Sequence, residues 1–155
     1  MGPQWKRTYM MEKLFHFIFD DFPPSTNDLY AVIRGRKILT SKGRAYKNAI
    51  KYEVAKKGIM TPMDIMKRYE FSYKLISPDW KVKKWPNATL KYRKFDLSNR
   101  IKCLEDAICE SLGIDDSQIF RITMEKVDGP EKKIEVVIRV MEDECETKGK
   151  SADSK

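Results

Sequence analysis

Residues 96–112, DLSNRIKCLEDAICESL, form the most informative stretch of the chain because their spacing predicts an amphipathic helix over 97–112. At about 100° per residue, the apolar positions fall on one stripe that must face a core: Ile101, Leu104, Ile108 and Leu112. A second, polar stripe carries Asn99, Lys102 and Asp106. Gly113 is expected to end the helix, because glycine adopts the left-handed conformation of helix C-termini at little cost.

The segments around this helix show further strand and helix patterns. Alternating apolar residues predict strands at 13–19, 69–75, 118–126 and 134–141, and a short hairpin at 30–39 with Gly35 at its tip. A second helix is expected over 42–57, with Ser41 as its N-cap and Gly58 as its stop. Its buried stripe is predicted to be Tyr46, Ala49, Ile50 and Val54. This order of elements predicts an α+β fold in which two helices pack on a small mixed sheet.

The composition favours one folded domain inside the cell. The chain has 155 residues and is 41% hydrophobic, which suits a single domain and argues against complete disorder. We expect this domain at 11–141, a loose leader at 1–10 and a disordered polar tail at 142–155. No apolar run approaches the roughly 18 residues that span a bilayer, and LFHFIF is too short for a signal-peptide core. These features predict a cytoplasmic protein without membrane contact.

The cysteine and histidine content argues against a zinc centre. Cys103, Cys109 and Cys145 are odd in number and lack metal-ligand spacing, which indicates reduced thiols. The single histidine, His16, excludes a multi-histidine zinc site, and its position within LFHFIF predicts an ordinary strand residue.

Basic residues are concentrated in two segments of the chain. Residues 34–57 carry a net charge of +8 and residues 80–102 carry +7, which leaves −7 for the rest. Such segments indicate a surface that binds a polyanion, and nucleic acid is the first candidate. The alternative is a solvated helix face plus a lysine-rich loop. The predicted nucleic-acid contacts are Asn27, Arg34, Arg36, Lys37, Arg44, Lys47, Lys81, Lys83, Lys84, Arg93, Lys94, Asn99 and Arg100.

Two acidic positions flank the helix over 97–112. Asp96 precedes it, where an acid commonly serves as a helix-start residue. Asp115 and Asp116 follow it, and Asp116 could cap the next element. The alternative is that Asp96 and Asp116 converge on one metal ion, since Mg²⁺ prefers oxygen ligands and promotes phosphodiester hydrolysis. Lys102 would then stabilise the charge that develops in the transition state.

The motifs in this region resemble those of one known family, the RusA-type Holliday junction resolvases, which are small endodeoxyribonucleases of bacteria and their phages. The resemblance covers roughly residues 17–140. It rests on four segments in order: PPSTN at 23–27, SKGRAY at 41–46, DLSNRIK at 96–102 running into LEDA at 104–107, and GIDDSQI at 113–119.

The resemblance implies a homodimer with an α+β fold that cuts four-way DNA junctions with Mg²⁺, or Mn²⁺ as a substitute. The first acid of the family's D-x-D-N motif, a metal ligand, matches Asp96. The family's catalytic lysine matches Lys102, and its later acid matches Asp116. Such a protein would be of bacterial, phage or prophage origin, and its two equivalent subunits would suit the two equivalent strands of a junction.

One position departs from the motif, because the second acid of D-x-D-N is Ser98 in this chain. A hydroxyl can ligate Mg²⁺ weakly or hold a ligand water, but it carries no negative charge. Asp115 or Asp106 could supply the missing oxygen. Two alternatives to a junction nuclease therefore stay open: a catalytically weak or inactive DNA-binding dimer, and a protein whose basic surface binds an acidic partner other than DNA.

Overall fold

The fold is taken from a computed structural model that describes residues 14–141. The predicted leader at 1–10, the predicted tail at 142–155, Lys13 and Cys145 lie outside the described residues.

The described chain contains six strands, three helices and one 3-10 turn. The strands are β1 (Leu14–Phe19), β2 (Tyr30–Ile33), β3 (Arg36–Leu39), β4 (Arg68–Ser77), β5 (Ile119–Asp128) and β6 (Lys133–Met141). The helices are α1 (Thr26–Leu29), α2 (Ser41–Ala55) and α3 (Leu97–Leu112), and the 3-10 turn spans Asp116–Gln118. No helix among residues 14–141 is long and apolar enough to cross a membrane.

Four strands form one mixed sheet in the order β1-β6-β4-β5. Strand β6 pairs antiparallel with both β1 and β4, whereas β4 pairs parallel with β5. The parallel pair requires a long connection between the strands, and α3 lies in it. Strands β2 and β3 form a separate hairpin, with Arg34 and Gly35 at positive φ in its turn. The predicted α+β class with a small mixed sheet is confirmed.

The core lies between the sheet and the helices α2 and α3. All four residues of the predicted α3 stripe are fully buried, and they pack with alternate residues of the strands, such as Phe71 on β4 and Ile138 on β6. Gly113 ends α3 with φ 69°, as predicted, and a Cβ at this position would lie only 2.5 Å from Pro62 Cβ. His16 lies in β1 and is exposed, while Cys103 and Cys109 are free and buried.

Helix α2 differs in detail from its prediction. Thr40, rather than Ser41, is the N-cap, because its side chain accepts a hydrogen bond from the backbone N–H of Gly43. The helix ends at Ala55, before the predicted stop. Ala49 is exposed, so the predicted buried stripe is wrong at that position. Helical periodicity alone does not show how wide a stripe the neighbouring elements cover.

Candidate active site

Asp96 is the N-cap of α3, and its carboxylate is held by the first turn of that helix. It accepts hydrogen bonds from the backbone N–H of Asn99 at 3.5 Å, the side-chain amide of Asn99 at 3.0 Å and the hydroxyl of Ser98 at 2.9 Å. Asp96 and Ser98 are exposed. The Ser98 hydroxyl thus binds the carboxylate that the sequence predicts to be a metal ligand.

A shallow cavity of about 320 Å³ opens beside Asp96. Helix α1 and the start of α3 form its walls, which consist of Ser25, Thr26, Asn27, Lys94, Phe95, Asp96, Asn99 and Arg100. The guanidinium of Arg100 donates to the carbonyl oxygen of Pro23 at 2.9 Å, which ties the PPSTN segment to α3. The structure therefore brings Asn27, Lys94, Asn99 and Arg100, all predicted nucleic-acid contacts, to the same cavity as Asp96. Helix α1 begins within this segment, at Thr26.

Lys102 lies at the centre of a second group, whose members are Glu105, Asp106 and Asp116. Its ammonium nitrogen is 3.0 Å from Asp106 Oδ1, 3.8 Å from Asp116 Oδ2 and 3.9 Å from Glu105 Oε2. The hydrogen bond from Lys102 to Asp106 is the largest of the causes that raise the pKa of the lysine. Three carboxylates thus face one ammonium group, so the predicted pair of Lys102 and Asp116 does come together.

Glu105 is a member of this group that the sequence analysis did not identify. It is 6% exposed, and its Oε1 accepts a hydrogen bond at 3.2 Å from the hydroxyl of Tyr73 on β4. Burial raises the pKa of Glu105. Burial, together with the nearby Glu105 carboxylate, also raises the pKa of Tyr73. A signal was present in the sequence, because Glu105 follows Ile101 by four residues and therefore lies within the apolar stripe of the helix.

Asp115, not Asp116, caps the element that follows α3. Its side chain accepts from the backbone N–H of Ser117 at 3.0 Å and also from the Ser117 hydroxyl, while the Gln118 side chain accepts from the backbone N–H of Asp115. The hydrogen bonds from Ser117 lower the pKa of Asp115. The prediction that Asp116 could cap the next element is wrong, and Asp116 is left to face Lys102.

The acids lie in two groups, one at the start of α3 and one around Lys102 about two helical turns further along. Among residues 14–141, no three His, Cys, Asp or Glu side chains converge closely enough to hold a metal ion. Among the described residues, no hydrogen bond or ion pair joins Asp96 to Lys102 or to the carboxylates around it. The observed convergence on Lys102 depends on Asp116, which approaches from the turn before β5.

The remaining predicted nucleic-acid contacts differ in their surroundings. Eight are exposed: Arg34, Arg36, Lys37, Arg44, Lys81, Lys83, Lys84 and Arg93. Lys47 is partly buried and forms an ion pair with Glu110 at 3.4 Å, in which Lys51 also takes part at 2.7 Å. Lys47 therefore bridges α2 to α3 in this conformation.

The aromatic residues of the loop before α3 also differ from one another. Trp80 is 7% exposed, and its indole N–H donates to the carbonyl oxygen of Val127 at 2.9 Å. Trp85 and Tyr92 are exposed at 39% and 59%. Trp80 therefore belongs to the core, whereas Trp85 and Tyr92 remain accessible to a partner.

Comparison with known families adds an independent observation to this geometry. The model of the endodeoxyribonuclease RusA family matches residues 21–139, which is more than half of the chain. The chain belongs to the RusA endodeoxyribonuclease family. The matched region contains both acidic groups, the cavity beside Asp96 and the basic loop before α3. No curated protein sequence matches the chain significantly.

Membership in the RusA family supports nuclease activity in general. RusA-family proteins act on branched DNA and are generally dependent on divalent metal ions. The assignment to the RusA-type family, which the sequence motifs indicated, is confirmed.

Proposed function

We propose that this protein is a metal-dependent, structure-selective endodeoxyribonuclease that resolves four-way DNA junctions by paired nicks. The observation that carries the proposal is the gathering of Lys102 and Asp116 within a chain that matches the RusA family over residues 21–139. The cavity beside Asp96, with two basic side chains in its walls, supports an approach of the phosphate backbone to the start of α3.

The donor chemistry of the site fits a hard divalent cation. Asp96 and Asp116 are the side chains proposed to hold Mg²⁺, because both are exposed carboxylates and Mg²⁺ prefers oxygen ligands. Since they lie in separate groups among the described residues, a shared ion requires the two carboxylates to move towards each other when it binds. Three carboxylates surround the single ammonium of Lys102, so this group has a net negative charge. A net negative charge attracts a further cation. The chemistry that Mg²⁺ supplies when bound is Lewis acidity toward the phosphodiester and acidification of water.

Lys102 is proposed to stabilise the negative charge that develops on the scissile phosphate or the leaving oxygen. Its side chain is 56% exposed, so a substrate can reach it. Asp106 and Glu105 orient the ammonium from the same helix, at i+4 and i+3. Asn99 and Ser98 orient the Asp96 carboxylate in the same manner. The chain thus positions both charged groups through neighbours on α3.

We further propose a homodimer, because a four-way junction has two equivalent strands to cut. A two-fold symmetric dimer presents two equivalent sites to those strands. Light scattering of the purified protein with and without junction DNA tests this part: a mass of two chains supports it, and a mass of one chain in the bound state contradicts it.

A second candidate function is junction binding without efficient cleavage. Ser98 favours it, since its hydroxyl contributes no charge and is engaged with Asp96. The site then depends on fewer carboxylates than the family motif supplies, which lowers its affinity for a metal.

The deciding experiment compares wild type with Asp96→Asn on a labelled synthetic four-way junction in Mg²⁺, Mn²⁺ and EDTA. Asparagine is also a good N-cap, so α3 is expected to keep its start while the site loses one charge. We expect metal-dependent, symmetric nicks by wild type and none by the variant, with junction binding retained. Asp20→Asn is the matched control, because Asp20 is an exposed acid that lines a cavity next to α2 and not the cavity beside Asp96. Binding without nicks by wild type in either metal supports the second candidate, and normal cutting by Asp96→Asn contradicts the proposed role of Asp96.

A further inference from the structure

Three aromatic rings pack together next to the cavity beside Asp96. Phe22 and Trp80 stack with their ring centroids 5.6 Å apart, and Phe95 meets both edge-on at 5.6 and 5.5 Å. We call these three residues the aromatic triad. Phe95 directly precedes Asp96 in the chain, so the triad is continuous with the wall of that cavity.

Each ring of the aromatic triad has a cation above its face. The pairs, with the distance from the charged group to the ring centroid, are Arg100 over Phe95 at 4.6 Å, Lys126 over Trp80 at 5.2 Å and Lys132 over Phe22 at 4.8 Å. We call these three cations the cation row. Lys126 also lies 5.9 Å from the Phe95 ring centroid, so it contacts two of the three rings.

The cation row is not neutralised by acidic side chains. Among residues 14–141, none of its three members forms an ion pair with a carboxylate, in contrast to Lys47, Lys51 and Lys102. A ring face restricts the position of a cation without using its N–H donors. The row is therefore an ordered set of positive groups whose donors can bind an anion.

We infer that the cation row, through Lys126 and Lys132 in addition to Arg100, binds successive phosphates of the DNA strand that enters the site at Asp96. The inference rests on the proposed function and extends it to two lysines outside both basic segments of the sequence. The rigid triad beneath the row supports it, because Trp80 is fixed to β5 by the hydrogen bond from its indole to Val127. The row thereby extends the nucleic-acid surface from the cavity to the turn between β5 and β6.

The test measures the salt dependence of junction binding by fluorescence anisotropy in EDTA, where no cleavage occurs. The variant is Lys126→Gln with Lys132→Gln. Its matched control is Lys67→Gln with Lys74→Gln, which removes two exposed lysines that lie outside both basic segments and do not line the cavity beside Asp96. Each lost phosphate contact reduces the slope of log K against log salt by about 0.9, so the variant is expected to lose about 1.8.

The control variant is expected to keep the wild-type slope, and Lys126→Arg with Lys132→Arg is expected to keep it as well because the charge is conserved. An unchanged slope for the glutamine variant, or an equal loss in the control, overturns the inference while the nuclease proposal stands. A wild-type affinity that does not respond to salt overturns both. The arginine variant controls for misfolding, because it changes the same two positions but must keep the wild-type slope if charge is the cause.

Discussion

Replacing Ser98 with aspartate tests whether position 98 contributes to the metal site. In the structure, Ser98 Oγ lies 2.9 Å from Asp96 Oδ1. A carboxylate at position 98 would therefore stand close to that of Asp96. Two like charges about 4 Å apart repel by about 1 kcal/mol in water and about 4 kcal/mol at an effective dielectric constant of 20. Both residues are exposed, so the lower value applies.

Two further contributions enter the free energy of unfolding of Ser98→Asp. The loss of the hydroxyl hydrogen bond costs about 1 kcal/mol. A negative charge in the first turn of α3 returns about 0.3–1 kcal/mol through the helix dipole. The variant is thus expected to be less stable than wild type by about 1–2 kcal/mol in EDTA, and each kcal/mol lowers Tm by about 2–4 °C for a chain of this size.

Mg²⁺ should reverse this loss, because a divalent cation between two carboxylates replaces their repulsion with attraction. We expect Tm in saturating Mg²⁺ to equal or exceed that of wild type, and metal affinity to rise by at least about tenfold, which is the smallest effect typical of changes around a metal site. Differential scanning fluorimetry and isothermal titration calorimetry measure the two quantities, and junction cleavage should increase with them. Ser98→Asn is the uncharged control and should show no Mg²⁺-dependent stabilisation. The reasoning fails if Ser98→Asp responds to Mg²⁺ no more than this control does.

Three stability predictions concern α3 and its neighbours. Leu104→Ala should lower the free energy of unfolding by about 2–5 kcal/mol in urea denaturation, because Leu104 is fully buried; a loss below 1 kcal/mol would contradict its place in the core. Tyr73→Phe should lower the free energy of unfolding by about 1–3 kcal/mol, since it leaves the buried Glu105 carboxylate with one hydrogen bond fewer. A double-mutant cycle with Glu105→Gln should show a coupling energy above about 0.5 kcal/mol between the two residues. Glu110→Gln should cost about 0.5 kcal/mol at pH 7, a value suited to an exposed ion pair. The hydrogen bond from Lys51 lowers the pKa of Glu110. The stability difference between wild type and Glu110→Gln should therefore be present above the unfolded pKa near 4.5 and disappear as the pH falls through the folded pKa. Thermal unfolding at several pH values measures this difference, and a difference that persists in strong acid would argue against the ion pair.

The helix α3 shows which features can be predicted from local sequence. Its bounds, its N-cap at Asp96 and its end at Gly113 agree with the sequence analysis, because capping and periodicity act within one or two turns. The N-cap of α2 lies one residue before the predicted one, and the reason is a contact that is not local. Thr40 and Ser41 both carry suitable hydroxyls, and Thr40 is selected because it also donates to the Asp28 carbonyl oxygen, twelve residues earlier in the chain.

The candidate site was predicted only in part. Asp96, Lys102 and Asp116 follow from the motif, but the role of Glu105 depends on Tyr73, which lies 32 residues away on β4. A carboxylate within an apolar stripe indicates a buried acid, but the stripe does not show which hydroxyl will donate a hydrogen bond to that carboxylate.

The sequence by itself determined the α+β class and the extent of α3, because helix and strand patterns depend on residues a few positions apart. The roles of Asp96, Lys102 and Asp116 are what the resemblance to the family implies, and they stay predictions. Only the tertiary structure decided that Asp116 faces Lys102, that Trp80 is buried and that Lys126 and Lys132 lie over aromatic rings. These contacts depend on the parallel pairing of β4 with β5 and on the packing of α3 across them. The physical reason is that helix and strand periodicity specify which side of an element is buried, whereas the partner on that side is selected by strand register and side-chain packing over the whole chain.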